Sequence, residues 1–277
     1  MSLLKIPHAI PNTVIFDWHA TLVDTKDAMY RAVDDVLPIL EEHGLIERLV
    51  KPGESKTLED EKLVKYVRKN ARLHPRIKSE RKVSRTDIFE VLFSKNEEAK
   101  ALAHKYFDEC YGKYAGVVEP FEDGIRDNLI ELRSLGMKLG VISNRKREYM
   151  EKEIRNVENG SWVPLFDTLT CGDDVAQRKP APDLILKALD NLGMPASTGC
   201  WYVGDSTTDV VAAKLAGVTA VFYNGAGWDR RWIDKIFPET VTHPHTPDTI
   251  INHFDELTEM VALYRHIDLE IHPIRSH

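Results

Sequence analysis

The stretch that decides the fold is residues 13–24, TVIFDWHATLVD, in which four β-branched or apolar residues are followed at once by an acidic residue. Short apolar runs of the same form recur at residues 139–142, 201–203 and 220–223. Runs of this length that end abruptly in polar or small residues are typical of strands buried on both faces of a parallel sheet. The sequence therefore predicts four buried parallel strands.

Segments with helical periodicity separate these runs, and they lie at residues 123–135, 146–157, 183–192 and 207–216. Three of them are followed by a glycine, the residue that commonly ends a helix: Gly136, Gly193 and Gly217. A further amphipathic pattern at residues 246–264 predicts a closing helix. Alternating strands and helices predict an α/β fold, a doubly wound, Rossmann-like parallel sheet with right-handed crossovers and helices on both faces.

Residues 26–118 break this alternation, because they contain helical patterns, at 58–70 and 86–111, but no convincing strand. We expect residues 26–118 to form an inserted α-helical cap domain. Residues 1–25 and 119–277 then form the α/β core.

The composition is that of a globular protein, with 43% hydrophobic and 29% charged residues in a chain of 277. These values exclude disordered and fibrous classes. The longest apolar-rich stretch, residues 210–223, is interrupted by Lys214 and is shorter than the ~20 residues that cross a bilayer. The N-terminal residues lack the pattern of a secretory signal, and the three cysteines form no C-x-x-C pair. We therefore expect a cytoplasmic protein with reduced thiols and no membrane partner.

The formal net charge of −7 argues against a nucleic-acid partner, because such proteins need a basic face. Residues 51–85 reverse this balance locally, since they contain twelve Lys or Arg and five Asp or Glu. A solvated helical face and a surface that attracts anions both explain such a segment.

Polar side chains directly follow three of the predicted strands: Asp17 after the first, Ser143 and Asn144 after the second, and Asp205, with Asp209 four residues on, after the third. Open α/β sheets bind ligands in the crevice outside the carboxyl ends of their strands. We therefore expect these groups to share one site. Lys179, just ahead of a helix whose first turn is preceded by proline, adds a cation.

With these residues in this order, the sequence resembles the haloacid dehalogenase-like hydrolase superfamily, and within it the phosphoglycolate-phosphatase-like members with a helical cap after the first motif. The resemblance extends from residue 13 to about residue 257. Asp17 and Thr21 match the first and last positions of the family's first motif, D-x-D-x-T. Ser143 matches the second motif, Lys179 the third, and residues 204–209 the acidic fourth.

The resemblance implies a magnesium-dependent hydrolase, a phosphatase that acts on a small phosphate monoester through an aspartyl phosphate on Asp17. The implied catalytic residues are Asp17, His19, Ser143 and Lys179, and the implied substrate-binding residues are Thr21, Ser143, Asn144 and Lys179. The implied Mg²⁺ ligands are Asp17, the main-chain carbonyl of His19 and Asp205, with Asp209 either as a further ligand or as a residue that holds waters around the ion. These roles agree with elementary chemistry, because an anionic phosphate repels a carboxylate nucleophile unless cations screen both. The expected partner is a small anionic substrate, and the sequence does not determine the oligomeric state.

His19 departs from the family pattern, which normally has a second aspartate there as the acid and base. Three alternatives are open. Imidazole can transfer the protons itself. Alternatively, the chain resembles the phosphonoacetaldehyde-hydrolysing branch, which also lacks that aspartate, often has tryptophan where Trp18 stands and forms a Schiff base with a cap lysine; no lysine of the predicted cap matches a pattern for it. The third alternative is a weakly catalytic member that binds a phosphorylated ligand or partner.

Overall fold

The computed structural model of the protein describes residues 7, 9–80, 85–241 and 243–271. The chain divides into two compact units, one formed by Met1–Asp24 with Val118–His277 and the other by Thr25–Val117. No helix in the described part of the chain combines the length and the apolar character needed to span a membrane.

The strands in chain order are β1 (Thr13–Asp17), β2 (Val23–Asp24), β3 (Glu119–Pro120), β4 (Lys138–Ser143), β5 (Thr168–Cys171), β6 (Cys200–Gly204), β7 (Thr219–Tyr223) and β8 (Thr249–Ile251). Six of them form one sheet in the order β5-β4-β1-β6-β7-β8, and every neighbouring pair is parallel. Strands β2 and β3 form a separate antiparallel pair. The predicted parallel sheet is therefore confirmed, and β1 lies near its centre.

The helices in chain order are α1 (Lys26–Glu42), α2 (Leu58–Asn70), α3 (Pro75–Glu80), α4 (Arg85–Phe93), α5 (Glu97–Tyr111), α6 (Ile125–Ser134), α7 (Arg147–Asn156), α8 (Asp183–Leu192), α9 (Thr207–Ala216), α10 (Arg230–Ile236) and α11 (Phe254–Ile271). Short 3-10 segments occur at Ile46–Arg48, Val157–Gly160 and Val163–Leu165. The four helices predicted between the strands are present as α6 to α9, and α8 and α9 have the predicted bounds.

The sheet is covered on both faces because successive side chains of a strand point to opposite sides. Val14 and Phe16 of β1 pack in a cluster with residues of α6, α7 and α11. Ile15 packs in a second cluster with residues of α8, α9 and α10. These two core clusters, one on each face of the sheet, confirm the doubly wound α/β fold. They also hold in place the strand ends where the polar residues lie.

Two predicted helices differ from the structure. The pattern at 246–264 begins with strand β8, which pairs with β7, so the helix starts only at Phe254. The pattern at 86–111 is two helices, because Ser94 has a positive φ of 46° and the Asn96 side chain accepts a hydrogen bond from Ala99 N at the start of α5. The left-handed conformation of Ser94 ends α4, and the Asn96 cap begins α5 as a separate helix.

In the described residues of the unit Thr25–Val117, all regular secondary structure is helical. Helix α1 packs against α5, and α2 packs against α4. Within the basic segment, Arg68 Nη2 donates hydrogen bonds to the main-chain carbonyls of Leu49 and Val50, at 3.2 and 2.8 Å. One cation of that segment is therefore engaged in holding its own unit together.

Candidate active site

The register of the sheet brings three polar strand ends to one edge. Asp17 is the last residue of β1 and is paired with Ile142, the residue before Ser143 at the end of β4. On the other side of β1, Phe16 is paired with Val203, two residues before Asp205. Because all three strands run parallel, their carboxyl ends open into the same crevice, as predicted for a ligand site.

The loop after β1 is held in a tight turn. The amides of Leu22 and Val23 both donate to the carbonyl of Trp18, at 3.0 Å, and Ala20 has a positive φ of 64°. Thr21 is fully buried, and its hydroxyl has no hydrogen-bond partner among the described residues. This geometry fixes the main chain that carries Asp17 and His19.

Lys179, on the loop between β5 and α8, is the centre of a buried cluster of charges. Its ammonium group donates to Asp17 Oδ1 at 2.6 Å, to Asp209 Oδ1 at 2.7 Å and to the Tyr202 hydroxyl at 2.9 Å. The Tyr202 hydroxyl in turn donates to Asp209 Oδ1 at 2.7 Å. Buried charges persist only when they are paired and hydrogen-bonded, and here one cation serves two carboxylates.

The cluster shifts the ionisation of its members. Burial raises the pKa of Asp17 to about 6, and the carboxylate of Asp209 adds to the effect while Lys179 opposes it. Burial lowers the pKa of Lys179, but the two carboxylates outweigh it, and the net direction is upward. Burial, helped by Asp209, also raises the pKa of Tyr202 well above its ordinary value. Lys179 therefore stays charged and Tyr202 stays a donor at neutral pH.

Asn144 holds the main chain of Lys179 in place. Its Nδ2 donates to the carbonyl of Lys179 at 3.0 Å, and its Oδ1 accepts from the amide of Lys179 at 2.8 Å. Both polar atoms of the Asn144 side chain are thereby engaged with that residue. The lysine loop is tied in this way to the end of β4.

Asp209 is fixed by the start of α9. Ser206 is the N-cap of this helix, and the Ser206 and Asp209 side chains cap each other's amides in a capping box. Gly204 allows the close approach, because a Cβ built there would lie 2.4 Å from Asp209 Cγ. Asp209 thus uses Oδ2 at the helix start and Oδ1 at Lys179 and Tyr202.

The carboxylates of Asp17, Asp205 and Asp209 form an acidic triad that could hold a metal ion, since one oxygen of each lies within 4.8 Å of the others. Hard divalent cations such as Mg²⁺ take oxygen ligands of this kind. The chemistry of the donor set therefore fits a divalent cation.

His19 is held between two elements of the core. Its Nε2 lies 2.9 Å from Oε2 of Glu153, on α7, and its Nδ1 lies 3.2 Å from Ser143 Oγ. Trp18 Nε1 donates to the same Glu153 oxygen at 2.8 Å. The amide of Arg145 donates to Ser143 Oγ at 3.1 Å. The predicted site residues Asp17, His19, Ser143, Asn144, Lys179, Asp205 and Asp209 thus all belong to the same unit and lie around the ends of β1, β4 and β6.

Sequence reasoning missed two members of this site, Glu153 and Tyr202. Glu153 had a detectable signal, because it lies on the same face of α7 as the buried Met150 and Ile154. An acid on an apolar helix face is unusual unless it has a partner. Tyr202 lies inside a buried strand, where a tyrosine is ordinary core material, so only the structure shows its contact with Lys179.

Comparison with known proteins agrees with this architecture. The family described as haloacid dehalogenase-like hydrolase matches residues 14–223. A phosphoglycolate phosphatase of Salmonella typhimurium is 27% identical over 213 residues, which cover 75% of this chain and 79% of the relative.

Solved structures share the fold. A protein from Lactobacillus plantarum, assigned as a phosphoglycolate phosphatase, has a TM-score of 0.60 at 16% identity and covers 91% of this chain and 100% of its own. A variant of CbbY from Rhodobacter sphaeroides, in complex with xylulose-(1,5)bisphosphate, has a TM-score of 0.53 at 21% identity over 89% of this chain and 96% of its own. The family match covers most of the chain and spans the strands that carry the site residues. The chain therefore belongs to the haloacid dehalogenase-like hydrolase family, as a phosphoglycolate-phosphatase-like hydrolase.

Proposed function

We propose that the protein is a magnesium-dependent phosphatase that hydrolyses a small phosphate monoester through a phosphorylated Asp17. The observation that carries the proposal is the position of Asp17, buried at the end of β1 with Oδ1 2.6 Å from Lys179 and with two further carboxylates within 4.8 Å. A carboxylate can attack an anionic phosphate only where cations screen the repulsion. The relatives named as phosphoglycolate phosphatases support a small phosphorylated substrate.

Asp17 and Asp205 are the side chains that would hold the cation, together with the main-chain carbonyl of His19. Of the two roles that the sequence left open for Asp209, we assign it the one other than direct ligation, because both of its oxygens are engaged with Lys179, Tyr202 and the start of α9. It holds Lys179 against Asp17. When bound, the cation supplies positive charge that stabilises the phosphoryl group in the transition state.

The reaction has two steps at Asp17. In the first, an oxygen of the Asp17 carboxylate attacks phosphorus, an O–P bond forms, and the ester P–O bond breaks to release the alcohol. In the second, water attacks phosphorus, the bond to Asp17 breaks, and inorganic phosphate leaves. Lys179 offsets the negative charge of both steps.

The remaining residues bind the phosphoryl group and move protons. Ser143 supplies a hydroxyl at the end of β4, and Thr21 supplies a second, buried hydroxyl next to the loop of Asp17. His19 gives a proton to the departing alcohol and takes one from the attacking water, in place of the family's second aspartate. Asn144 acts on Lys179 rather than on substrate, because its amide is engaged with the lysine main chain.

We assign the cap function to the helical unit Thr25–Val117, and we propose that this unit is the cap domain that the sequence predicts at residues 26–118. Caps of catalytic domains exclude water and select the substrate. The basic segment at residues 51–85 is the part of this unit suited to attract anionic substrates.

A screen of phosphate esters with and without Mg²⁺ tests the proposed function. We expect phosphate release that needs Mg²⁺ and that Asp17→Asn abolishes without loss of the fold, since the two side chains are nearly isosteric. Turnover of Asp17→Asn like that of the wild type would overturn the assignment of the nucleophile. Inactivation by borohydride in the presence of phosphonoacetaldehyde would instead support the imine chemistry. Absence of both, with retained phosphate binding, would support a binding protein.

A further inference from the structure

Glu153 is a buried acid that none of the sequence motifs accounts for. It lies on α7, and its side chain has no solvent exposure. Its neighbours on that face are the apolar Met150 and Ile154. Carboxylates are almost never fully buried without partners, because burial removes their hydration.

The partners of Glu153 lie in the loop that carries the nucleophile. Oε2 accepts hydrogen bonds from Trp18 Nε1 at 2.8 Å and from His19 Nε2 at 2.9 Å. These two residues immediately follow Asp17 in the chain. One oxygen of α7 thus fixes two side chains of the loop after β1.

The contact with Glu153 determines which atom of the imidazole faces the site. A carboxylate oxygen accepts a hydrogen, so Nε2 is the nitrogen that donates to Glu153. The other nitrogen, Nδ1, points to Ser143 Oγ, at 3.2 Å. A carboxylate that holds one ring nitrogen sets the orientation and tautomer of the ring, and this leaves the opposite nitrogen for chemistry.

We propose that Glu153 is a positioning residue, which holds the His19 ring so that Nδ1 lies at the phosphoryl site next to Ser143. The inference rests on the proposed function, in which His19 moves the protons. A Glu–His pair then does here what a single aspartate does in the family's usual motif. The pair draws its two members from different elements, the loop after β1 and helix α7.

A different explanation is that Glu153 contributes only to folding stability, by accepting the hydrogen bond of the buried Trp18 indole. The two explanations differ in what each variant does. If the contact with Trp18 is the important one, Trp18→Phe and Glu153→Gln lower stability together and leave turnover alone. If the contact with His19 is the important one, only Glu153→Gln lowers turnover.

The kinetic test compares Glu153→Gln, of the same size, with Trp18→Phe as the matched control, each in the wild-type and in the His19→Ala background. We expect Glu153→Gln to lower kcat about 10- to 100-fold, the range that is typical when the hydrogen-bond partner of a metal-ligating histidine is removed. KM should change little, and alkyl phosphates should lose more than aryl phosphates, which barely need an acid. In the His19→Ala background the same substitution should have little further effect.

The proposal is overturned if folded Glu153→Gln keeps its wild-type kcat on alkyl phosphates, or if its effect is the same with and without His19. Loss of turnover in Trp18→Phe equal to that in Glu153→Gln also contradicts it.

A second measurement needs no turnover and separates this inference from the proposed function. In an ¹⁵N-edited NMR spectrum, we expect an imidazole N–H resonance of His19 that exchanges slowly with solvent, is absent in His19→Ala and is shifted in Glu153→Gln. Trp18→Phe should retain it. If the wild-type protein releases no phosphate, the proposed function fails while this resonance still shows whether Glu153 holds the ring. A His19 resonance that Glu153→Gln leaves unchanged overturns the inference even in an active enzyme.

Discussion

Among the individual residues of the site, the buried ammonium group of Lys179 offsets the negative charge of the carboxylates of Asp17 and Asp209. Asp17, Ser143, Lys179, Asp205 and Asp209 could be picked out from the sequence because each follows a strand or precedes a helix in a recognisable motif. The different roles of these residues could not be predicted from the sequence. The contacts of Asp209 with Lys179 and Tyr202 join residues that are 30 and 7 positions away in the chain, and a sequence motif does not encode the direction of a side chain.

Asp17 makes the metal-free protein sensitive to pH. Because burial raises its pKa from 3.8 to about 6, the folded state binds more protons than the unfolded state between these values. The contribution of Asp17 to stability is therefore fully present below pH 3.8 and is lost as the pH rises through about 6. We expect the melting temperature of the wild type, measured in chelator, to fall relative to that of Asp17→Asn across this window.

Added Mg²⁺ should raise the melting temperature of the wild type above the window, where Asp17 is ionised, and much less below it. Asp205→Asn should weaken this stabilisation. A difference between wild type and Asp17→Asn that is independent of pH would contradict the conclusion that burial of this carboxylate outweighs its pairing with Lys179.

Removal of the central cation should cost both stability and activity. Lys179→Met keeps an unbranched side chain, shorter by one atom, but leaves the carboxylates of Asp17 and Asp209 buried without their ammonium partner. Breaking such a pair costs roughly 3–5 kcal/mol. We expect a loss of this order in denaturant unfolding and no detectable turnover. The double variant Lys179→Met with Asp209→Asn should regain part of the stability but not the activity; equal stabilities of the two variants would contradict the pairing.

At the scale of the element, periodicity predicted the helices and strands that bury an unbroken apolar pattern. Helices α8 and α9 have the predicted bounds because an apolar stripe, an N-terminal signal and a closing glycine all agree there. Strands β5 and β8 were not predicted, since each is short and includes buried threonine, two residues in β5 and one in β8. Strand β8 exists through its pairing with β7, which the local sequence does not specify.

The N-terminal cap of α9 also positions a residue of the site, because Asp209 lies in the first turn of this helix. Ser206→Ala removes the cap, which should cost about 1 kcal/mol, and it also removes the Ser206 Oγ contact of Asp209 Oδ2, while the Ser206 amide still donates to that oxygen. We expect reduced stability and reduced kcat. Asp229→Ala is the matched control, because Asp229 caps α10 through the amide of Trp232 and lies outside the acidic cluster. For the control we expect a similar loss of stability with full activity. Equal kcat in the two variants would show that the Ser206 cap has no effect on the active site.

At the scale of the whole molecule, the chain joins an α/β unit that carries the acidic site to a helical unit that carries the basic segment. The absence of strand patterns over about 90 residues is what predicts a separate helical domain, and this signal does not depend on any single residue. The sequence does not predict the role of each individual cation in the basic segment. Arg68 is engaged with main-chain carbonyls of its own unit, whereas Arg72 is exposed.

Two arginines of the basic segment should therefore respond differently. Arg68→Ala should lower the melting temperature, because the carbonyls of Leu49 and Val50 lose their donor. Arg72→Ala should leave the fold intact, raise KM for phosphate esters and weaken the dependence of KM on salt. Unchanged KM across ionic strengths in Arg72→Ala would show that the segment is a solvated face.

The central claim is that Asp17 becomes phosphorylated, and the most direct measurement is the mass of the protein quenched in acid during turnover of a good phosphate ester with Mg²⁺. We expect a transient species heavier by one phosphoryl group, mapped to the peptide that contains Asp17 and absent in Asp17→Asn. Turnover without any such species, or a phosphoryl group mapped to another residue, would contradict it.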